Sequence, residues 1–308
     1  MSGSPTVLID ANLSLPLFRR GKVRDVYDLG DELLIVSTDR ISAFDVVLPC
    51  GIPDKGKVLN QLSAFWFKKT AHILPNHLIK VIDGNVILNE VKNLSGQSGD
   101  LPDSLIARSM LVARAERIPV ECVVRGYLSG SAWAEYKETG KVGDINLSTG
   151  MRESQELSQP VFTPTTKSDT DHDRPLTGQD VRGLGIGDIF KDLERKSLLV
   201  YSYARDYARR RGIIIADTKF EFGFINGQIA IIDELLTPDS SRFWDASQYE
   251  VGHSQPSFDK QPVRDWLVDS GWDKKPPAPM LSPEVIGKTS ERYREVYSKL
   301  TGGVLKGK

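Results

Sequence analysis

Cysteine is scarce in this sequence, and long hydrophobic runs are missing. The two cysteines, Cys50 and Cys122, lie in apolar sequence without a CxxC or zinc-binding spacing. A disulfide framework is therefore not expected, and a reducing compartment fits. No stretch approaches the ~18 apolar residues of a membrane span. The first fifteen residues also lack the basic start and apolar core of a secretory signal. These absences predict a cytoplasmic protein without a membrane partner.

Charge balance and missing motifs exclude further classes of protein. Forty Lys and Arg stand against 41 Asp and Glu, a net charge of −1, so a broad nucleic-acid surface is not expected. The four histidines are scattered and no G-x-S-x-G elbow occurs, which disfavours a zinc enzyme and a serine hydrolase. GIPDKGKV at 51–58 continues with Val58 where a P-loop needs Ser or Thr, and GLGIGD at 183–188 lacks dinucleotide-binding spacing. Neither stretch is interpreted as a nucleotide-binding loop.

The order of predicted elements indicates an α+β fold. The chain has 308 residues, a mass of 34.2 kDa and 40% hydrophobic residues, enough for two domains. A strand-rich opening, a helix over 57–71 and mixed strands and helices afterwards favour largely antiparallel sheets. Helical spacing over 188–211 and after the N-cap candidate Ser282 predicts two long helices. Residues 84–104 are predicted to form a surface loop, and the polar segment 140–185 is too long for a plain connector.

The stretch IIIADTKFEFGFINGQIAIIDE at 213–234 places charges along buried strands. Alternate side chains of a strand point to opposite faces, so Asp217, Lys219 and Glu221 share one face while two phenylalanines lie on the other. A solvated face explains the alternation, but such a face more commonly carries Thr, Ser, Lys or Gln. Carboxylates that face each other need a cation between them, and Mg²⁺ held by one or two carboxylates plus substrate phosphates meets that need. We therefore interpret this face as a metal and phosphate site.

The length of the turn decides which residues of this hairpin face each other. A two-residue turn at Asn226-Gly227 would pair Glu221 with Ile232. Asp233 would then point to the opposite face. A shared metal requires a bulge or an odd loop length, such as a three-residue loop that places Glu221 opposite Asp233. We therefore predict the three-residue loop.

Three other stretches combine cations with turns or hydroxyls, and each has two interpretations. RRGKVRD at 19–25 suits a turn over phosphates, or a solvated basic hairpin. In VECVVRGYLSGSAW at 120–133, Arg125 ends a strand before a serine-rich helix start, which indicates an anion site or ordinary helix capping. In TPDSSRFW at 237–244, Arg242 lies among hydroxyls after a Pro-Asp-Ser sequence, which suits a binding site or a structural turn.

Taken together, these stretches resemble SAICAR synthetase (phosphoribosylaminoimidazole-succinocarboxamide synthase). The resemblance covers about residues 17–300, and the length is closer to the single-function fungal type than to the shorter bacterial one. The matching stretches are IPVECVVRGYLSGS (118–131), IIADTKFEFG (214–223), RGKVRDVY (20–27), STDRISAFD (37–45), FTPTTKSDTDHD (162–173) and DELLTPDSSRFW (233–244).

The resemblance implies a fold and a reaction. The implied fold is α+β, with a small kinase-like antiparallel nucleotide-binding lobe over 1–115, a larger substrate and metal lobe over 116–308, and ATP in the cleft between them. The implied substrates are ATP, carboxyaminoimidazole ribotide (CAIR) and L-aspartate, and the products are SAICAR, ADP and phosphate. Because an amine does not attack a carboxylate directly, an acyl phosphate is the implied intermediate. The implied cofactor is Mg²⁺.

The resemblance also implies roles for individual residues. Contacts to the ATP phosphates are implied for Gly21, Lys22, Val23, Arg24 and Lys167. Contacts to the adenine are implied for Arg114, Ala115 and Glu116. The implied Mg²⁺ ligands are Glu221 and Asp233. The ribotide phosphate is assigned to Arg125, Ser131, Ser241 and Arg242. The imidazole and carboxylate end of the ribotide is assigned to Asp45 and to the catalytic pair Asp217 and Lys219.

Other functions remain open on the residues alone. The alternatives are another ATP-dependent carboxylate–amine ligase, a small-molecule kinase, or a nucleotide-binding protein without chemistry. Phosphate release together with amide formation separates a ligase from a kinase, which would leave a stable phosphorylated product. ATP turnover that depends on both the ribotide and L-aspartate separates an enzyme from a binding protein. A monomer without a nucleic-acid partner is expected.

Overall fold

A computed structural model provides the structure of this protein, and it describes residues 7–84, 102–167 and 174–307. The strands are β1 (Leu17–Arg20), β2 (Arg24–Asp28), β3 (Glu32–Ser37), β4 (Arg40–Ala43), β5 (Val46–Gly51), β6 (Leu78–Val81), β7 (Ser109–Ala113), β8 (Glu116–Tyr127), β9 (Lys141–Val142), β10 (Ile145–Asn146), β11 (Glu156–Phe162), β12 (Thr165–Thr166), β13 (Ile213–Ile225), β14 (Gln228–Ile232) and β15 (Ser241–Asp245). The helices are α1 (Lys55–Thr70), α2 (Gly130–Thr139), α3 (Gly178–Gly183), α4 (Gly187–Arg209), α5 (Gln261–Asp269) and α6 (Pro283–Thr301). Most of the surface loop predicted over 84–104 lies outside the described residues.

Two antiparallel sheets organise these elements. The first contains five strands in the order β1-β2-β3-β7-β6, all from the part of the chain before residue 116. The second contains β11-β8-β13-β14, with β12 also paired to β8 and β15 also paired to β13. The pairings within both sheets are antiparallel. The α+β prediction with antiparallel sheets is confirmed.

The helices begin and end close to where the sequence signals predicted. Helix α4 begins one residue before the predicted 188–211 and ends two residues before its end, at Arg209. Gly212 comes three residues after the helix, and its φ of 72° suits a residue without a side chain. Helix α6 starts after Ser282, whose hydroxyl accepts a hydrogen bond from the Val285 backbone N–H at 3.3 Å. The polar segment 140–185 is more regular than its composition suggests, because β11 and β12 pair with β8.

The largest hydrophobic cluster joins helices to both sheets. Helix α1 contributes Trp66, α6 contributes Tyr293, and β13 contributes Phe220 and Phe222, all with at most 1% of their surface exposed. The two phenylalanines lie on the face of β13 opposite the charges, as the alternation predicted. Burial of these aromatic side chains fixes the orientation of β13, so its charged row must point away from this core.

The prediction of a three-residue loop between β13 and β14 is wrong. Ile225 pairs with Gln228 and Glu221 pairs with Ile232, so the turn contains two residues. Asn226 and Gly227 both have positive φ, 50° and 76°, as the central residues of a type I′ turn require. We had assigned the register so that Glu221 and Asp233 would share a metal ion. The strong preference of Asn-Gly for a two-residue turn determines the register instead.

Candidate active site

The charged row of β13 lies beside a second charged row on β8. Asp217 is paired with Arg125, and Glu221 is paired with Glu121. We did not assign Glu121 from the sequence. It is four residues before Arg125 in one strand, so the same alternation that exposed the β13 row could have identified it.

Lys167 lies between the two facing carboxylates of this sheet. Its Nζ is 2.7 Å from an Oε1 of Glu121 and 2.6 Å from an Oε1 of Glu221. Burial acts to raise the pKa of Glu121, but Lys219 and Lys167 outweigh burial and hold that pKa below its usual range. The cation between Glu121 and Glu221 is thus the ammonium of Lys167. The predicted magnesium ligands, Glu221 and Asp233, are a different pair.

Lys219 is bound by a residue of the neighbouring strand. Its Nζ is 2.9 Å from Oε1 of Glu121 on β8. Its side chain is 39% exposed, so Lys219 is held by an ion pair while part of its side chain remains open to solvent.

Asp233 reaches the charged row although the turn has two residues. It follows the last residue of β14 and has a φ of 67°, so the chain leaves the strand conformation there and the alternation of faces no longer applies. Burial and the Asp233 carboxylate raise the pKa of Glu221, which indicates that the two acids interact. The left-handed conformation of Asp233, and not strand register, thus leaves its carboxylate near enough to Glu221 for the two charges to interact.

Arg24 connects the first sheet to this acidic pair. Its Nη2 is 2.6 Å from Asp233 Oδ2, and its Nη1 is 3.1 Å from Glu234 Oε2. Burial acts to raise the pKa of Asp233, but Arg24 outweighs it and holds the pKa below the usual range. This ion pair brings the turn Gly21–Arg24 to the second sheet, although Arg24 and Asp233 are 209 residues apart in the chain.

Glu221 and Asp233 fit a magnesium site. Within the described ranges no three His, Cys, Asp or Glu residues form a cluster that could hold a metal by itself. Mg²⁺ at nucleotide sites needs only one or two carboxylates, with substrate phosphates and water as its other ligands. A divalent cation would also offset the repulsion that raises the pKa of Glu221.

Two arginines flank Asp217 at the other end of the row. Arg125 Nη1 is 3.3 Å and Arg242 Nη1 is 2.9 Å from the same oxygen, Oδ2. Arg125 also binds Ser131 Oγ at 3.3 Å, and Arg242 binds Ser129 Oγ at 2.9 Å. Two guanidinium groups and two hydroxyls therefore cluster at the start of α2, a combination that suits a phosphate.

A glycine makes the approach of Arg242 possible. Gly130 has a φ of 57°, and a Cβ there would lie 2.3 Å from the Arg242 guanidinium. Ser129 precedes α2 but makes no side-chain cap, so its hydroxyl serves Arg242. These contacts favour the anion site over the helix-capping interpretation that we had left open.

Ser241 lies on the opposite face of the sheet from Arg125 and Arg242. It pairs with Thr218, which lies on the opposite face of β13 from Asp217. The two hydroxyl oxygens are 2.8 Å apart, and both residues are buried. The predicted contact of Ser241 with the ribotide phosphate stays a prediction.

The turn that is predicted to cover the ATP phosphates contacts Asp45 in the first part of the chain. Lys22 Nζ is 2.5 Å from Asp45 Oδ1, and both side chains are more than half exposed. Asp45 has a φ of 65° in the two-residue turn between β4 and β5. An uncommon backbone conformation for aspartate is thus combined with a position beside the predicted nucleotide phosphates.

The predicted adenine segment lines a cleft of about 710 Å³. Arg114, Ala115 and Glu116 form one wall, and Asp31, Ile225 and Asn226 contribute to the others. Arg114 donates to Gly30 O at 2.8 Å and also pairs with Asp28. The β2–β3 turn, the β7–β8 connection and the β13–β14 turn therefore enclose one space between the two sheets.

Comparison with known proteins identifies the family. Residues 17–279 match the family described as SAICAR synthetase. The chain belongs to the SAICAR synthetase family. The protein is therefore a ligase of purine biosynthesis, which uses ATP to join L-aspartate to CAIR and gives SAICAR, ADP and phosphate.

Close relatives span the whole chain. A phosphoribosylaminoimidazole-succinocarboxamide synthase of Thermodesulfovibrio yellowstonii is 48% identical over 303 residues, covering 96% of this chain and 99% of its own. The structure of a SAICAR synthase from Saccharomyces cerevisiae complexed with SAICAR has a TM-score of 0.86 at 41% identity, covering 98% of this chain and 99% of its own. A SAICAR synthetase structure in complex with ADP has a TM-score of 0.67 at 27% identity, covering 94% and 99%. The bacterial relative shows that the long form of this SAICAR synthetase is not confined to fungi.

Proposed function

We propose that the charged face of β8 and β13 converts the CAIR carboxylate to an acyl phosphate and then to the amide. In the first step, a carboxylate oxygen bonds to the γ-phosphorus of ATP while the bond from that phosphorus to the bridging oxygen of ADP breaks. In the second, the amine of L-aspartate bonds to the acyl carbon, loses a proton, and phosphate leaves. The observation that carries this proposal is the alternation of Glu121, Lys167 and Glu221 beside Lys219, whose side chain is partly exposed.

The first sheet is proposed to hold ATP. Gly21, Lys22, Val23 and Arg24 would cover the phosphates, because this turn meets Asp233 through Arg24. Adenine would occupy the cleft that Arg114, Ala115 and Glu116 line. The solved relative in complex with ADP supports a nucleotide site in this fold.

Magnesium is proposed to be held by Glu221 and Asp233. The ion would neutralise charge that develops on the transferred phosphoryl group. Lys167 lies 2.6 Å from Glu221 and would bind phosphate oxygens from the same place. The protein thus supplies a carboxylate pair for the metal and an ammonium for the phosphates.

The opposite end of the row is proposed to hold the ribotide. Arg125, Ser131 and Arg242 would bind its phosphate, and Ser241 is retained as a predicted neighbour. Asp217, Lys219 and Asp45 would face the imidazole and its carboxylate. The Saccharomyces cerevisiae structure complexed with SAICAR supports a ribotide site in this fold.

An isotope experiment tests the acyl phosphate. CAIR labelled with ¹⁸O in its carboxylate is converted with ATP and L-aspartate, and the inorganic phosphate is analysed by mass spectrometry. Transfer of one ¹⁸O atom to phosphate is expected, because the oxygen that bonds to phosphorus leaves with it. Amide formation with unlabelled phosphate would exclude the acyl phosphate, and a stable phosphorylated product without amide would favour the kinase alternative.

A magnesium titration tests the metal ligands. Asp233→Asn and Glu221→Gln should each raise the Mg²⁺ concentration for half-maximal turnover and lower turnover by about 10²-fold. Asp245→Asn is the control, because its carboxylate pairs with Lys299 outside the proposed site. An unchanged magnesium dependence in either site variant would remove that residue from the metal site.

Lobe division, monomeric state and cytoplasmic location stay predictions. We propose lobes over 1–115 and 116–308, because all strands of the first sheet end before residue 116 and all strands of the second begin at residue 116 or later. Among the described residues, no helix is long and apolar enough to cross a membrane. Sedimentation equilibrium at micromolar concentration measures the oligomeric state directly.

A further inference from the structure

One neighbouring segment captures three successive carbonyl oxygens of the turn Gly21–Val23. Arg40 donates from Nη2 to Gly21 O at 3.0 Å and from Nε to Lys22 O at 3.2 Å. Thr38 donates from its Oγ1 and from its backbone N–H to Val23 O, at 2.9 and 3.0 Å. The carbonyl oxygens of the turn are therefore all held on the side of Thr38 and Arg40.

Arg40 is itself held rigidly. Its side chain is 7% exposed, and its Nη2 is 2.7 Å from Oδ1 of Asp25, which is completely buried. Its Nη1 donates to Ile9 O at 2.6 Å. A planar guanidinium can reach a carboxylate and several carbonyl oxygens at once, whereas an ammonium cannot.

We propose that Arg40, with Thr38, is a positioning residue that keeps these carbonyl oxygens away from the nucleotide phosphates. The C=O and N–H of a trans peptide point in opposite directions, so this capture turns the N–H groups of Lys22 and Val23 away from Arg40. Those N–H groups then face the phosphates, which they attract, while the carbonyl oxygens, which repel an anion, are sequestered. The inference rests on the proposed function of Gly21–Arg24 as the turn over the ATP phosphates.

Binding of ADP and of adenosine separates positioning from general stability. Arg40→Lys should raise the KM for ATP and the Kd for ADP by about tenfold or more, as expected for losing charged hydrogen bonds to the turn. The Kd for adenosine and the KM for CAIR should change less than about twofold. Adenosine has no phosphate, and the phosphate of CAIR is proposed to bind at the other end of the site. Thr38→Val removes one donor to Val23 O and should change the same constants in the same direction by a smaller factor.

Arg108→Lys is the matched control. Arg108 is also buried and paired with a buried carboxylate, Asp39, at 3.1 Å, but it makes no hydrogen bond to Gly21, Lys22 or Val23 among those the structure describes. Its variant should leave the ratio of ADP to adenosine affinity unchanged, even if its thermal midpoint falls as much as that of Arg40→Lys. If Arg40→Lys does not fold, Thr38→Val carries the test.

Two outcomes overturn the inference. One is equal weakening of ADP and adenosine in the Arg40 or Thr38 variant, and the other is an unchanged ADP affinity in both. Lys22→Met distinguishes the cause of failure. If Lys22→Met weakens ADP while Arg40→Lys and Thr38→Val do not, only the positioning role fails. If ADP affinity is unchanged in all three, the turn does not cover the phosphates and the proposed function of Gly21–Arg24 fails as well.

Discussion

Single side chains in this site are arranged so that each buried charge has an opposite partner. Lys167 separates Glu121 from Glu221, and two arginines share Asp217. An unpaired buried charge costs several kcal/mol, so such residues constrain one another. Substitutions that conserve charge but alter geometry are therefore informative about function.

Lys219→Met should remain folded and bind ATP but lose most of its turnover. Methionine keeps much of the side-chain bulk, and Lys167 still neutralises Glu121 at 2.7 Å. The lost ammonium would act on charge that grows on the carboxylate during phosphoryl transfer, so kcat falls more than stability. Thermal midpoint and kcat are measured on one preparation. A lowered midpoint with normal kcat would leave Lys219 as a structural counter-ion.

Arg242→Lys should raise the KM for CAIR with little change in the KM for ATP. Arg242 binds Asp217 and Ser129 together, at 2.9 Å each, and a lysine cannot reproduce this planar arrangement. Gly130→Ala should have the same effect, because its Cβ would lie 2.3 Å from the guanidinium. Steady-state kinetics with each substrate varied is the measurement. A change confined to the KM for ATP would place Arg242 in the nucleotide site.

Among strands and helices, the hairpin β13–β14 shows how a short turn controls the site. The Asn-Gly turn sets the pairing of Glu221 with Ile232. Asp233 then has a left-handed backbone conformation, so the alternation of faces along β14 does not determine the direction of its side chain. The helices instead follow local signals such as the N-cap Ser282. Turn chemistry and backbone conformation therefore decide the positions of Glu221 and Asp233 more than strand periodicity does.

Gly227→Ala should destabilise the protein by about 1–2 kcal/mol without removing activity. Gly227 has a φ of 76°, and a left-handed conformation costs an alanine roughly this amount. Gly287→Ala is the matched control, because Gly287 lies within α6 with no atoms within 4 Å of an added Cβ. Its variant should gain about 0.5–1 kcal/mol from helix propensity. Urea unfolding measures the change in the free energy of unfolding for both variants. A change of the same sign in both would contradict the argument that Gly227 relieves backbone strain.

Across the whole molecule, a buried ion pair connects parts that are distant in the chain. Lys55 at the start of α1 is 2.7 Å from Asp239, which also accepts a hydrogen bond from Tyr293 of α6 at 2.8 Å. Burial acts to raise the pKa of Asp239, but Lys260 and Lys55 outweigh burial and hold the pKa below its usual range. The carboxylate is therefore charged at neutral pH and depends on its cations.

Lys55→Met should lower the free energy of unfolding by about 3 kcal/mol, because it leaves a buried carboxylate with less compensation. The double variant Lys55→Met/Asp239→Leu should recover much of this loss, since no buried charge then remains at either position. Denaturant unfolding of the two single variants and the double variant gives the coupling free energy. Additive effects would show that the pair does not interact in the folded protein.

Much of the fold and part of the site were predictable from local patterns. Alternation over Asp217–Phe222 predicted one charged and one aromatic face, and the structure buries Phe220 and Phe222 while Lys219 remains accessible. The antiparallel α+β class, helices α1, α4 and α6, and the family resemblance are confirmed. These features depend on the period of side chains along a strand or helix and on motifs of a few residues, which the amino-acid order contains directly.

Partners that come from distant parts of the chain required the folded structure. Lys167 lies between Glu121 and Glu221, 46 and 54 residues away, and no local pattern contains that distance. Arg24 reaches Asp233 across 209 residues. Such contacts follow from sheet register and from single backbone angles, and a shift of one residue would reverse the face of every side chain. Local chemistry thus predicted the candidate groups, whereas packing of the two sheets determined which of them meet.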